Sequence, residues 1–465
     1  MFVQQLYTNC LAEAAYYIES NGEAAIIDPI REIESYIALA KSRGSKIKYV
    51  FETHFHADFV SGHIDLAKQT GATIVFGPLA DTNYKVYNAT DGEEFKIGDL
   101  TLRALHTPGH TPESTCYLLL DKSLQEYCVF TGDTLFVGDV GRPDLLDGKM
   151  TSNELASLLY DSLNKKIKTL PDEVLVYPAH GPGSSCGKNI GKETWSTIGH
   201  QKKTNYALGN MTKEDFIRAV TEGLSAPPAY FFEDARINKN GYDSIDDVVR
   251  KNKKPLSIDA FQNELKNGAL ILDTRSPDEF EKGFIKGSIY IGLQGMFAIW
   301  AGTIIDIKRK LLIVCDAGKE EETVIRLARV GFENVAGYLE GGLDTWKNTK
   351  LNFDTISSIE PAEFAVKVKE GSHVLDVRKF SEAENGHISN ATVLPLNELE
   401  KNLISLDKDE TFYVHCAGGY RSMIASSILK ANGFENVVNV RHGWNKIKDT
   451  GVPIATGAPD NALAR

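Results

Sequence analysis

Two stretches in the C-terminal half of the chain are copies of one another. ALILDTRSPDEFEKGFIKGSIYI (269–291) matches HVLDVRKFSEAENGHISNATVLP (373–395), with Asp273 falling on Asp376 at an offset of 103. Farther on, VGFENVAGYLEGG (330–342) matches NGFENVVNVRHGW (432–444) at an offset of 102. Two units of about a hundred residues make a duplicated domain, since a solenoid needs shorter and more numerous repeats. Each copy alternates short apolar strands (LILD, LLIVC; VLDV, FYVHC) with helical patterns (TVIRLARVGF; MIASSILKANGF). That alternation predicts a small α/β unit with a parallel sheet.

The first 250 residues have a different texture. Strand-sized apolar runs are dense (AAIIDP, KYVFET, TIVFG, LTLRALHT, CYLLL, YCVFTGD, EVLVYPAH), and helical stretches such as IESYIALAKSRG and ELASLLYDSL interrupt them. The pattern predicts two packed sheets flanked by helices. The polar stretch INKNGYDSIDDVVRKNKKP (237–255) reads as the linker. A chain of 465 residues has room for about three domains. We place them at 1–253, 254–353 and 354–465.

Composition narrows the functional classes. The net charge is −12, which disfavours binding to nucleic acid or an anionic membrane, because no counterion release would drive it. The six cysteines are scattered, with no CxxC pair, as in a reducing compartment. The N-terminus lacks a basic, then apolar, leader pattern. No apolar run approaches the ~20 residues of a membrane span. The expected setting is the cytoplasm.

The chemistry-bearing motifs sit at strand ends. THFHAD (53–58) follows KYVFE. HTPGHT (106–111), FTGDT (130–134) and VYPAHG (176–181) each close an apolar strand with a His or an Asp. Loops at one rim of a sheet are where ligands collect. Imidazoles and a carboxylate converging there fit a transition-metal site. His106 reads as part of the HTPGH turn. Cys10, Cys116 and Cys128 stand among apolar residues and read as core fillers.

HxHxD, then GH, GD and AH, resembles the metallo-β-lactamase superfamily over roughly residues 1–250, and so implies an N-terminal αββα sandwich. Hydrolytic branches carry HxHxDH, whose last His helps hold a second metal. Here that position is Phe59, which cannot ligate, so the resemblance points to a one-metal site. Two His and one carboxylate with open positions is the facial triad of non-haem Fe(II) oxygenases. The branch this sequence most resembles is the persulfide dioxygenase family, which oxidises the outer sulfur of a low-molecular-weight persulfide with O2. The resemblance implies His54, His110 and Asp133 as ligands of one Fe(II) per chain. His56, Asp58 and His180 become residues that orient ligands or bound water, with His56 as a fourth ligand the other reading.

TLFVGDVGRPDL resembles the family's substrate loop. It puts Arg142 forward for the anionic end of a thiol carrier such as glutathione or coenzyme A. The other reading is an Arg paired with Asp144 or Asp139. Cys186, in the Gly- and Ser-rich GPGSSCGKN, has two readings: a sulfur acceptor beside the metal, or a small inert thiol.

In the second repeat, FYVHC ends a strand at Cys416. The loop Cys416-Ala417-Gly418-Gly419-Tyr420-Arg421 then leads into a helix. Glycines let successive N–H groups turn toward one point, and the helix N-terminus adds partial positive charge. Such a loop favours a thiolate or persulfide. LDVR, GHISNA, CxxGxR and the closing GW…GVP resemble the rhodanese family. That implies Cys416 as sulfane-sulfur carrier and Arg421 as an aid to anionic thiosulfate or sulfite. A phosphatase of the HCx5R type needs one more residue between Cys and Arg.

The first repeat aligns Cys315 with Cys416, but Glu320 stands in place of Arg421, with Asp316, Glu321 and Glu322 nearby. Carboxylates oppose ionisation of a thiol, so this copy resembles a rhodanese domain that has lost its chemistry. Its expected role is structural, as the contact of a homo-oligomer; the other reading is a second, weaker thiol relay through Cys315. The whole is then a multi-domain α/β enzyme: a persulfide dioxygenase that makes sulfite, coupled to a thiosulfate sulfurtransferase. The alternative is a zinc thioester hydrolase of glyoxalase II type with sulfurtransferase modules.

Overall fold

The computed structural model describes residues 1–145, 150–224, 226–349 and 351–463. They form two compact units: Met1–Val248 with Ile325–Glu333, and Val249–Val324 with Asn334–Arg465.

The first unit is built on two six-stranded sheets. One runs in chain order through Phe2–Thr8, Glu13–Ser20, Glu23–Ile27, Lys46–Phe51, Thr73–Phe76 and Tyr87–Asn88. Its first three strands are antiparallel, and the rest join in parallel. The other runs through Glu94–Ile97, Leu100–His106, Thr115–Leu120, Glu126–Gly132, Leu175–Pro178 and Ser196–Thr197. Alternate side chains of both sheets meet between them: Tyr16, Phe51, Phe95, Tyr117 and Phe130 are buried in one cluster. The opposite face of the second sheet buries Leu118 and Val129 against Leu159 and Phe216 of the helices Ser152–Ser162 and Lys213–Thr221. The αββα sandwich is thus as the motifs implied.

The stretch 237–255 is not an open linker. It carries the end of the helix Tyr230–Asn240 and the whole of Ile245–Asn252. Its polar residues gave no sign of this, because Asn238 and Asn252 are buried.

The second unit contains two five-stranded parallel sheets of identical order. In the first repeat the order is Pro255–Leu256, Val335–Leu339, Leu311–Val314, Leu270–Asp273, Ile289–Tyr290. In the second it is Ser357–Ile359, Val437–Val440, Phe412–His415, His373–Asp376, Thr392–Val393. Unbroken apolar strands such as LLIV, buried along their whole length, suit parallel sheets covered on both faces. The duplication persists at atomic level. Arg275 grips Asp273 and donates to the Gly283 carbonyl at 2.8 Å; Arg378 grips Asp376 and donates to the Gly386 carbonyl at 2.9 Å.

Candidate functional sites

The four strand-end motifs of the first unit converge. His54 Nε2 lies 3.8 Å, and His110 Nε2 3.3 Å, from Asp133 Oδ2. All three side chains are buried, and none of these three atoms has a hydrogen-bond partner among the described residues. Three orphaned buried donors aimed at one point fit a metal ion.

The protons on these imidazoles follow from their neighbours. Thr53 Oγ1 gives its only hydrogen to Asp28 Oδ2 at 2.8 Å, so it accepts from His54 Nδ1 at 2.9 Å. His110 Nδ1 faces the Arg142 carbonyl at 2.8 Å and must donate. Both rings therefore present bare Nε2 lone pairs. Burial, then the neighbouring His56, pushes His54 far below the usual imidazole range. Burial works against charge on Asp133, but His180, His54 and His110 hold its carboxyl well below the ordinary range.

His180 is engaged on both sides. Nδ1 hydrogen-bonds Asp133 Oδ1 at 2.8 Å, and Nε2 is 2.8 Å from Asp58 Oδ2. Burial opposes its charge, but the two carboxylates outweigh burial and lift its pKa well above normal. The His56 ring packs against His54 at 4.3 Å, while its donor atom groups with Asp28 and Glu52. Its Nε2 lies 3.1 Å from Asp28 and 3.6 Å from Glu52, and its ring packs on Phe59 at 4.3 Å. Phe59 itself is fully buried. Two further sets of buried donor atoms lie within 4.8 Å of one another: Asp58, His180 and Cys186; and Asp28, Glu52 and His56.

Arg142 does not present an open fork. Its Nε and Nη2 grip Asp144 at 2.6 and 2.8 Å, and Nη1 reaches the Ser185 carbonyl at 3.2 Å. The side chain is buried, since the loop folds back on itself. What Arg142 gives the metal cluster is its carbonyl, which holds His110. Cys186 is buried beside Asp58 and His180. Burial first, then the charges of Asp58 and Asp133, pushes its thiol well up, so the protein alone does not make it a thiolate. His106 Nε2 lies 2.8 Å from the Pro112 carbonyl and ties its own turn. Cys116 and Cys128 are core residues; Cys10 is half-buried.

The sequence reading missed Thr53, Asp28 and Asn238. Asn238 donates to the carbonyls of His56 and Phe59, both at 2.8 Å, and accepts from Ser61 N at 2.9 Å. It clamps the HxHxD loop from 182 residues away. The signal for Asp28 was its place at the end of AAIID, the same strand-end logic as the histidines.

The second unit carries the other candidate centre. Cys416 is buried at the base of its loop, and Gly419 N donates to its Sγ at 3.1 Å. That N–H is aimed by a positive φ at Gly419 (+104°), which glycine alone tolerates readily. The helix Tyr420–Ala431 begins at the next residue. Arg421 pairs with both oxygens of Glu382, at 2.6 and 2.7 Å. In the first repeat, burial first and then Glu320, Asp273 and Asp316 push the Cys315 thiol up to about 12.

The metallo-β-lactamase superfamily profile matches residues 8–85 and 76–180, and the rhodanese-like domain profile matches 257–349 and 360–450. The chain is 32% identical over 207 residues to the mitochondrial persulfide dioxygenase ETHE1 of Mus musculus, covering 44% of this chain and 73% of that protein. It is 35% identical over 160 residues to a probable hydroxyacylglutathione hydrolase (glo2) of Schizosaccharomyces pombe, covering 34% of this chain and 58% of that protein. The crystal structure of a metallo-β-lactamase from Staphylococcus aureus superposes with a TM-score of 0.66 at 32% identity. The match covers 72% of this chain and 98% of that one.

Proposed function

The chain belongs to the metallo-β-lactamase superfamily and carries two rhodanese-like domains, and on that premise we propose a two-site sulfur enzyme. One site oxidises the outer sulfur of a low-molecular-weight thiol persulfide with O2. The other moves sulfane sulfur through Cys416, with thiosulfate as product or donor. The first reaction balances as RSSH + O2 + H2O giving RSH, sulfite and two protons.

The observation that carries this reading is the convergence of three free donors on one point. His54 Nε2, His110 Nε2 and Asp133 Oδ2 are orphaned and convergent. Beside them Phe59 replaces a ligand, and both nitrogens of His180 face carboxylates. That favours one Fe(II) in a facial triad over two zinc ions. His54, His110 and Asp133 would hold the iron, which would supply the redox chemistry between persulfide and O2. The chain's own residues do the rest. Thr53, backed by Asp28, and the Arg142 carbonyl fix the two His tautomers, His180 holds Asp133, and Phe59 packs on His56. At the second site, the Gly419 N–H holds the sulfur on Cys416. No helix among the described residues is long and apolar enough to cross a membrane.

Metal analysis of anaerobically purified protein, coupled to oxygen uptake on adding glutathione persulfide, tests the reading. About one iron per chain with rapid uptake is expected. The second reading is a zinc thioester hydrolase of glyoxalase II type. It draws on the Asp58, His180 and Cys186 set, which offers a second group of donors. Two zinc ions per chain without oxygen uptake would give it the lead.

A further inference from the structure

A cavity of about 370 Å³ in the second unit is lined by both repeats. The second repeat contributes Gly418, Gly419, Tyr420 and Met423, the catalytic-type loop and the start of its helix. The first repeat contributes Tyr290 and Leu293. The two walls are joined at fixed points. Tyr290 N donates to Ser427 Oγ at 2.9 Å, and the Tyr420 hydroxyl donates to the Gly292 carbonyl at 2.8 Å.

Tyr290 is fully buried, yet its hydroxyl has no hydrogen-bond partner among the described residues. A buried phenol normally finds a partner, because an unmade hydrogen bond leaves its desolvation uncompensated. The hydroxyl is placed with some care: a Cβ at position 292 would fall 2.3 Å from it, so Gly292 leaves it room. Burial raises the phenol's pKa, so the hydroxyl keeps its proton and can donate it to an acceptor. The carboxylates Asp278 and Glu281 at the same cavity are answered by Arg441.

We propose that Tyr290, from the repeat that has lost its own chemistry, donates a hydrogen bond to the sulfur oxyanion that reacts at Cys416. The inference rests on the sulfurtransfer reading above and adds a substrate-binding residue to it. In the step concerned, sulfite sulfur attacks the outer sulfur of the Cys416 persulfide. The new S–S bond makes thiosulfate, the old S–S bond breaks, and its electron pair stays on the Cys416 thiolate. Charge is conserved, and no outside oxidant or reductant is needed. The first repeat is then half of a binding site as well as a scaffold.

The test loads Cys416 with sulfane sulfur from a low-molecular-weight persulfide and follows its discharge by sulfite, with persulfide on Cys416 read by intact mass. Tyr290→Phe should raise the sulfite concentration needed for half-maximal discharge about 10-fold, with the maximal rate nearly unchanged. Its melting temperature should be equal or higher, since only an unpaired buried hydroxyl is lost. Gly292→Ala, which crowds that hydroxyl and keeps it, should shift the same curve in the same direction. Oxygen uptake should not change in either variant. Unaltered sulfite dependence in Tyr290→Phe, with normal loading, overturns the proposal. Failure of the unaltered protein to load Cys416 at all overturns the sulfurtransfer reading itself.

Discussion

His180 Nδ1 lies 2.8 Å from Asp133 Oδ1, which leaves Oδ2 as the oxygen that faces His54 and His110. One hydrogen bond thus selects which carboxylate oxygen is offered to a metal. His180→Ala should release Asp133 to rotate and weaken metal binding about 10- to 100-fold, whereas Asp133→Ala should abolish it. Chelator competition on the folded holoprotein measures both. Equal metal affinity in His180→Ala and the unaltered protein would show that the ring positions nothing.

Gly141 presses on the same cluster from outside. A Cβ there would meet the Asp133 carbonyl at 2.1 Å and His110 Nδ1 at 2.8 Å. The loop that carries Arg142 must therefore begin without a side chain. Gly141→Ala should push His110 off the Arg142 carbonyl and cut metal affinity at least about 10-fold, with secondary structure intact. Metal content after dialysis against a chelator, set beside far-ultraviolet circular dichroism, checks it.

These two contacts mark what could be read from the chain and what could not. His54, His110, Asp133 and His180 were legible because each closes an apolar strand, and strand ends share a rim. The repeat made the second unit legible for the same reason, as Asp273 and Asp376 hold equivalent clamps. Arg142 was legible as a charge but not as a carbonyl, since a backbone atom leaves no mark in composition. Asn238 was hidden among polar residues that looked like a linker. Its partners, His56 and Phe59, lie far away in the chain, and only packing brings them together.

The two aligned cysteines should differ in reactivity. With burial and the neighbouring carboxylates raising the Cys315 pKa to about 12, this thiol stays almost wholly neutral at pH 7.5. A raised thiol pKa keeps the neutral form up to high pH, so labelling should appear only as pH nears 11 or the chain unfolds. Iodoacetamide at pH 7.5, mapped by mass spectrometry, should leave Cys315 unmodified in folded protein. Cys315→Ser should leave sulfurtransfer intact, while Cys416→Ser should abolish it. Loss of transfer in Cys315→Ser would instead make the first loop a relay.

Stability should fall in mild acid through His63. The Tyr84 hydroxyl donates to the Asn238 carbonyl at 2.6 Å, so it accepts from His63 Nε2, also at 2.6 Å. Burial first, then His56, lowers the pKa of His63 from 6.5 to about 3. The unfolded chain therefore takes up this proton first. The contribution is complete above pH 6.5 and is lost as pH falls toward 3. Between pH 7.5 and 5 the loss is about 2 kcal/mol. Urea unfolding at both pH values should show that difference shrink in His63→Gln. An unchanged difference would assign the acid sensitivity to other groups.

Arg421 and Glu382 set the last expectation. The pair is bidentate, at 2.6 and 2.7 Å, and the arginine side chain is mostly buried. Burial acts to raise the Glu382 carboxyl, but Arg421 outweighs it and holds the group below its usual range. A guanidinium held by one carboxylate can still offer its remaining N–H groups to an anion. If Arg421 receives thiosulfate, Arg421→Ala should cut kcat/KM for sulfur transfer to a thiophile about 100-fold. Glu382→Gln, by loosening a competing partner, should lower KM for thiosulfate severalfold. If the pair is only a strut, both variants should lose melting temperature together and KM should not move. Initial rates against thiosulfate concentration separate the two, because only an anion site couples a change at Glu382 to substrate affinity with opposite sign to the change at Arg421.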